Sequence, residues 1–440
     1  MERIYIKDLK DQVDQEVKIA GWIDVRRDQG KMVFFDFRDV SGKVQGVVLP
    51  NSEAIEIAKE TRPEWVVEVV GKVNKRPEKM VNADVENGDI EIEVLGITVL
   101  SEAEVPFELD EETNLDTYLD NQPYLLRSDK NKAIFKVQSE IIKAFRASLN
   151  EQSFTEVQSP KIVGGDAEGG AGVFEVDYFG NKAGLATSPQ FYKQMMVAVF
   201  ERVFITGNAF RAEKHSTSRH INEYTSLDFE LGFIKDHTDV MSVLESTMRG
   251  IVDSVEKTCS KELEMFGVEL PKISEKIPVM KLSEAQEILE KEFDLKAVGE
   301  PDLEPEHERK LCEYARDKFD SDFIFITHYP VSKRPFYTHE DEDDKGFTKS
   351  FDLLFRGVEI TTGGQRRHTY DSVVDGIKGK GLNPDDFSFY LQAFKTGMPP
   401  HGGIGMGLER LTQKMLNLDN VKKATLFPRE INRIDSLLNE

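Results

Sequence analysis

The stretch "FRAEKHSTSRHINEYTSLDFE", Phe210–Glu230, sets two arginines, Arg211 and Arg219, on either side of a short polar segment. Two acids, Glu213 and Glu223, and an aromatic, Tyr224, lie among them. The pattern reads as a strand, a loop and a strand. Fixed cations gathered this way need a reason in a chain where 57 Lys and Arg face 80 Asp and Glu.

The composition narrows the answer. With 440 residues, the chain is long enough for two or three domains with a well-buried core. Hydrophobic and charged fractions of 39% and 31% describe an ordinary globular protein. The net charge of −23 argues against a general nucleic-acid coat, which needs Lys and Arg on phosphates, yet it permits local basic sites. No run approaches a membrane span, and the opening "MERIYIKDLKDQ" lacks a signal peptide's apolar core. Cys259 and Cys312 give neither metal-ligand spacing nor a disulfide framework. The expectation is a soluble, cytoplasmic protein without membrane contact.

Outward from the quoted stretch, the organisation is α+β and multidomain. Residues 1–105 hold the short β-rich runs "VKIAGWIDV", "MVFFDFRDV", "KVQGVVL", "WVVEVVGKV" and "DIEIEVLGITVL". Five strands in that length suit an OB-fold barrel, whose open face often holds single-stranded nucleic acid; another small barrel or a sandwich is the alternative. Residues 106–132, polar and containing Pro, read as a hinge or linker. From Ala133 to the end the period changes. Ile134, Ile141, Ile142, Phe145 and Leu149 make one helical stripe, and "FTEVQSP" reads as a strand ending at Pro160. The acidic run "HEDEDDKG", His339–Gly346, reads as a solvated loop.

Two glycine-rich segments are ambiguous. "GGDAEGGAG", Gly164–Gly172, lacks the Lys-Ser/Thr ending of a P-loop and reads as a mobile loop or as a lid with Glu168 at its tip. "HGGIGMGLERL", His401–Leu411, does not fit G-x-G-x-x-G, so a dinucleotide site and an oxidoreductase are set aside. Its glycines suit close strand packing, while Arg410 beside them suits a phosphate. In "SFDLLFRGVEITTGGQRRH", Ser350–His368, the carboxylates of Asp352 and Glu359 near the Thr362 hydroxyl suit Mg²⁺, although paired acids are often surface residues. "TSPQFYKQMM", Thr187–Met196, is by itself only the start of a helix.

Taken together these segments resemble the three motifs of class II aminoacyl-tRNA synthetases. The helix before Pro160 is similar to motif 1, the opening stretch to motif 2, and "GGIGMGLER" to motif 3. Within subclass IIb, "SPQFYKQ", "FRAEKHSTSRH", "GVEITTGGQR" and "GMPPHGGIGMGLERL" resemble the aspartyl-tRNA synthetase family in its short archaeal and eukaryotic-like form, and "GWIDVRRDQG" with "FFDFRDVSGKVQ" resembles its anticodon-binding barrel. The resemblance covers nearly the whole chain and implies an antiparallel sheet flanked by helices in the catalytic domain, 133–440.

What the resemblance implies is chemistry by positioning. ATP is polyanionic with a flat purine. Arg211 would hold the α-phosphate, Arg219 and Arg410 the γ-phosphate end, Glu213 the adenine edge and Tyr224 the ring face, with His220 and Gly407 also at the nucleotide. Asp352, Glu359 and Thr362 would carry Mg²⁺. Lys193 and Arg366 would reach the side-chain carboxylate of L-aspartate, Thr362 would also contact that substrate, and Asp228 would support the cationic pair. Asparagine would then leave two buried cations without counter-charge. Glu168, Ser188 and Gln190 would meet the α-amino end. In the barrel, Phe34 and Gln45 would stack on and read the central anticodon base, Arg26 would contact backbone or base, and Phe35 would face the opposite way. Gln29 and Pro77 point to charging of tRNA(Asn) as well as tRNA(Asp). The resemblance also implies a homodimer through motif 1. An asparaginyl-tRNA synthetase and a tRNA-binding paralogue without catalysis are the alternatives; Lys193 speaks against the first and the retained Arg211 and Arg410 against the second.

Overall fold

Alternation along the strands fills the core of the first unit, and strand pairing closes it. The computed structural model describes residues 1–83, 85–105, 113–164 and 172–438. By its contacts the chain divides into two compact units, Met1–Glu111 and Glu112–Glu440. In the first, strands β1 (Glu16–Asp28), β2 (Val33–Asp39), β3 (Gly42–Val48), β4 (Val66–Lys75) and β5 (Ile90–Ser101) form a closed barrel in the order β1-β2-β3-β5-β4. Five strands closed in this way are the barrel expected for the OB-fold. On β2 the inward set is Val33, Phe35 and Phe37, all buried in one apolar core with Ile19, Val69 and Ile92. Period-two patterning puts Phe34 and Asp36 on the outer face.

The second unit begins earlier than its helical stripe. In the stretch 106–132, expected as a connector, the described residues hold two short helices, Leu115–Asp120 and Gln122–Leu125. Asn114 caps the first by accepting from Thr117 N–H at 3.0 Å. Tyr118, Leu119 and Leu125 are buried, so a segment polar on average still packs. Ser128 caps the helix Asp129–Glu151, which starts four residues before Ala133.

The strands of this unit follow as β6 (Thr155–Glu156), β7 (Ile162–Val163), β8 (Glu175–Tyr178), β9 (Asn181–Leu185), β10 (Arg202–Phe210), β11 (Glu223–Gly232), β12 (Val279–Lys281), β13 (Phe323–Thr327), β14 (Ser350–Phe355), β15 (Val358–Gln365) and β16 (His401–Gly407). Eight of them form one sheet, β12-β13-β14-β15-β16-β11-β10-β6; β7, β9 and β8 form a small separate one. All neighbours in the large sheet run antiparallel except β12 with β13 and β6 with β10. The helices Asp129–Glu151 and His237–Thr258 bury their apolar faces with Phe204, Leu227, Phe229, Phe351, Ile404 and Met406 of the sheet. No helix among the described residues is long and apolar enough to cross a membrane.

The same alternation sends polar residues to the opposite face. Leu227, Phe229 and Leu231 of β11 enter the core, leaving Ser226, Asp228 and Glu230 on the other side. Across the ladder each of those three faces a glycine of β16: Ser226 opposite Gly407, Asp228 opposite Gly405, Glu230 opposite Gly403. A Cβ on Gly403 would fall 2.1 Å from Glu230 Oε2. The glycines of "GGIGMG" therefore make room for buried acids in the middle of the sheet.

The acidic run His339–Gly346 is an irregular segment with Glu342, Asp343, Lys345 and Gly346 exposed, as a solvated loop requires, but it is also tied down: His328 Nε2 lies 3.1 Å from Asp341 Oδ2, Lys281 2.7 Å from Asp344, and Lys349 2.7 Å from Glu342. Asp341 is only 7% exposed. These cationic partners lie outside the run, on both sides of it, which a count of the run's own charges does not show.

Candidate active site

The polar face of the sheet lines a cavity of about 340 Å³. Around it stand Ser188, Gln190, Arg211, Glu213, Arg219, His220, Tyr224, Asp228, Glu359, Thr362, Arg366, Gly407 and Arg410, all expected from the sequence. They arrive from the β10–β11 loop, the start of helix Gln190–Phe200, strands β11 and β15, and the junction of β16 with helix Leu408–Met415. Residues more than 200 positions apart thus share one wall.

At one part of this wall cations meet an aromatic face. The Arg211 Cζ lies 5.7 Å from the Tyr224 ring centroid. Arg410 Nη1 donates to the Glu359 carbonyl at 3.2 Å. Arg219 forms an ion pair with Glu308. His220 Nδ1 lies 2.8 Å from Thr217 Oγ1, and burial together with Arg410 holds its pKa below the usual imidazole value. The loop is braced by the chain's last segment. Asn222 N–H donates to the Arg429 carbonyl at 2.7 Å, Val421 N–H to the Ser218 carbonyl at 3.0 Å, and Ser216 Oγ to Glu430 at 2.5 Å.

A second group is a buried charge lattice. Lys193 Nζ donates to Asp228 Oδ2 at 2.8 Å and to the Ile404 carbonyl at 2.7 Å, and lies 3.4 Å from Glu230. Arg366 Nε donates to Glu230 Oε1 at 2.9 Å and its Nη2 to the Gly403 carbonyl at 2.9 Å. Burial alone pushes Glu230 up, but Arg366 and Lys193 hold its carboxyl below the usual range. Two cations and two carboxylates therefore cancel. The expectation that bound asparagine would leave Lys193 and Arg366 without counter-charge is corrected, because Asp228 and Glu230 already supply it, and Lys193 does not itself border the cavity: Asp228 stands in front of it.

The expected oxygen ligands divide in a similar way. Glu359 and Thr362 border the cavity, and Thr362 Oγ1 donates to Glu359 Oε1 at 2.7 Å. Although burial favours its neutral form, Arg410, the Thr362 hydroxyl, Arg334 and Arg211 keep Glu359 below the ordinary carboxylate range, hence ionised. Asp352, opposite Thr362 across β14–β15, is buried behind the wall 2.8 Å from Arg334. Burial pushes its pKa up to about 6 in spite of that arginine. No group of three or more His, Cys, Asp or Glu among the described residues is arranged to hold a metal ion. One ionised carboxylate and one hydroxyl beside a phosphate site still fit Mg²⁺, which completes its shell with water and substrate oxygens.

Four residues of this region were not among those expected from the sequence. Glu230 is in the opening stretch, in phase with Ser226 and Asp228, and that phase was the clue available. Arg334 and Tyr337 line the cavity from an irregular segment, and Glu308 comes from the helix Pro305–Phe319. Glu168 lies outside the described residues.

On the barrel, Phe34 and Gln45 share the outer face, since Phe34 pairs with Val47 and Asp36 with Gln45, and Phe35 is fully buried. Gln45 Nε2 donates to Glu91 at 3.0 Å. Arg26 is engaged elsewhere. A register shift between Ile23 and Val25 pairs it with Phe35, and its guanidinium caps the helix Ile55–Glu60 through the Ala58 and Lys59 carbonyls, both at 3.0 Å. Arg27, paired with Phe34, occupies the outer face and forms a bidentate contact with Asp36 at 2.8 and 2.9 Å. Gln29 and Pro77 are exposed.

Comparison with known proteins follows the same division. The family described as tRNA synthetases class II (D, K and N) matches residues 114–431, and the family of OB-fold nucleic acid binding domains matches residues 17–100. An Aspartate--tRNA(Asp/Asn) ligase of Thermus thermophilus is 44% identical over 98% of this chain and 99% of its own. An Aspartate--tRNA(Asp) ligase of Picrophilus torridus is 42% identical over 98% and 99%. The crystal structure of asparaginyl-tRNA synthetase from Pyrococcus horikoshii complexed with asparaginyl-adenylate superposes with a TM-score of 0.90 at 32% identity, covering 99% of each chain.

Proposed function

The chain belongs to the class II tRNA synthetases of the aspartate, lysine and asparagine group, and from that footing we propose that it charges tRNA with L-aspartate through an aspartyl-adenylate. Its chemistry is ATP-dependent, as the family's is. The observation that carries the amino-acid assignment is the shared cavity: Asp228 and Arg366 open onto the same space as Arg211, Tyr224 and Arg410. An amino acid bound at the first pair lies beside a nucleotide bound at the second set.

In the first step an α-carboxylate oxygen of aspartate attacks the α-phosphorus of ATP and the bond to pyrophosphate breaks. Arg211 meets the α-phosphate as its charge develops, with planar, permanently charged donors. Arg219 and Arg410 hold the outer phosphates, Tyr224 stacks on adenine and Glu213 reads its edge, with His220 and Gly407 completing the wall. Glu359 and Thr362 would hold Mg²⁺, which supplies charge neutralisation across the phosphates when bound. Asp352, paired with Arg334, supports Glu359 from behind. In the second step the terminal ribose hydroxyl of tRNA attacks the activated carbonyl and AMP leaves. Orientation and electrostatics account for both steps.

Discrimination rests on hydrogen-bond polarity. The side-chain carboxylate of aspartate only accepts, which suits the Arg366 donors; the amide of asparagine would turn a donor towards donors. Lys193 acts through Asp228 and Glu230, whose positions it fixes. Ser188 and Gln190 meet the α-amino end. The test is amino-acid-dependent exchange of pyrophosphate into ATP. Aspartate supports exchange and asparagine does not; equal support by both would return the asparaginyl alternative.

Phe34 and Gln45, with Arg27 on the same outer face, take the anticodon, and the exposed Gln29 and Pro77 let the barrel accept tRNA(Asn) besides tRNA(Asp). The Thermus thermophilus relative carries both tRNAs in its name and the Picrophilus torridus relative one. The reading includes a cytoplasmic homodimer. Val199, Phe200 and Phe233, 63%, 46% and 71% exposed, leave apolar surface at one edge of the catalytic unit that a second copy would cover.

A further inference from the structure

Arg219 stands in the irregular segment between β10 and β11, where the backbone gives a long side chain no fixed direction. What directs it comes from 89 residues away: its Nη2 donates to Glu308 Oε2. Glu308 is itself well placed to give direction. It lies on the helix Pro305–Phe319, whose Leu311, Cys312 and Ala315 are buried in one apolar cluster with Ile324 and Ile326 of β13. Its side chain is 13% exposed. Burial pushes its carboxyl pKa up, Arg219 opposes that, and Glu359 and Arg410 are close enough to act on it. The contact engages one of the guanidinium nitrogens, and a guanidinium has five N–H donors in a rigid fork.

We infer that Glu308 is a positioning residue for the adenylation step, holding Arg219 at the cavity wall so that the rest of its fork meets the outer phosphates of ATP. The inference rests on the reading of Arg219 as a phosphate ligand. Its physical content is preorganisation: an arginine already fixed loses less freedom when ATP arrives. Had Glu308 competed with the phosphates, its removal would tighten ATP binding; as a positioning residue, its removal weakens it.

The test is pyrophosphate exchange on E308Q, R219A and the double variant, with thermal melting to check folding. E308Q keeps the shape and removes the charge. It should raise the KM for ATP about fivefold to tenfold, with kcat within about twofold and the KM for aspartate unchanged. R219A should raise the KM for ATP at least as much, and E308Q should add nothing in the R219A background. E308D, one methylene shorter, should fall between, and serves the same comparison if E308Q folds poorly. An E308Q enzyme with unchanged or lower KM for ATP, or with an effect additive to that of R219A, would overturn the inference alone. R219A at the parental KM would remove Arg219 from the phosphates and overturn the reading beneath it.

Discussion

Lys193 Nζ lies 2.8 Å from Asp228 Oδ2, and the two side chains are 1% and 3% exposed. The pair is buried, with Glu230 as the second carboxylate at 3.4 Å. Replacing Lys193 by Met keeps the volume but leaves two buried acids with one cation. Breaking a buried pair in this way costs about 3–5 kcal/mol. Urea denaturation of K193M should show that loss, and aspartate-dependent exchange should fall about a hundredfold or more as Asp228 shifts. A variant as stable as the parent would mean that the lattice relaxes without its lysine.

Glu359 and Asp352 make a contrast that Mg²⁺ titration can read. Glu359 borders the cavity and is ionised; Asp352 is behind it on Arg334. E359Q should raise the Mg²⁺ needed for half-maximal exchange and lower kcat by about two orders of magnitude or more. D352N should mainly lower stability, because it leaves Arg334 buried without its counter-charge, and shift the Mg²⁺ requirement much less. Equal Mg²⁺ shifts in the two variants would restore Asp352 as a direct ligand.

Glu409 gives a pH signature. It is buried, accepts from Thr225 N–H at 2.9 and 3.1 Å, and burial pushes its pKa from 4.5 up to about 7. Between those values the folded chain binds a proton that the unfolded chain has released, so stability declines as pH rises through this window. Relative to E409Q, the parent should lose up to about 1.4 kcal/mol per pH unit there, and nothing below it. Parallel stability curves for the two proteins from acid to neutral pH would contradict this.

Adjacent phenylalanines of the barrel should separate folding from RNA binding. Phe35 is fully buried and stacks on Phe37 with centroids 5.1 Å apart. F35A should cost about 3–5 kcal/mol of barrel stability. F34A should melt near the parent yet bind tRNA more weakly, the loss being that of one base stack, about 1–3 kcal/mol. A large stability loss in F34A, with tRNA affinity unchanged, would reverse the two assignments.

The barrel was legible as five β-rich runs and the large sheet through the motif resemblance; alternation is the physical reason both hold, with Val33, Phe35 and Phe37 inward on one strand and Leu227, Phe229 and Leu231 on another. The glycines of β16 were legible as close packing, but their purpose emerges only from the register that sets Gly403 against Glu230. What stayed hidden depended on contacts between distant segments. Glu308 meets Arg219, and Lys281 meets Asp344, across intervals that no local pattern encodes. Arg26 was misplaced for a smaller reason, since one bulge in β1 shifts which of two neighbouring arginines faces outward. Motif resemblance supplied roles for Lys193 and Asp352, and the structure moved both one layer back from the cavity.

The most direct measurement is aminoacylation of tRNA(Asp) and tRNA(Asn) transcripts, each offered labelled aspartate and labelled asparagine with ATP. Aspartate is expected on both transcripts and asparagine on neither. Aspartate on tRNA(Asp) alone would remove the role given to Gln29 and Pro77 and leave the active site as described. Asparagine transfer, or no charging at all, would contradict the central claim that the cavity around Arg211 and Arg366 activates aspartate for tRNA.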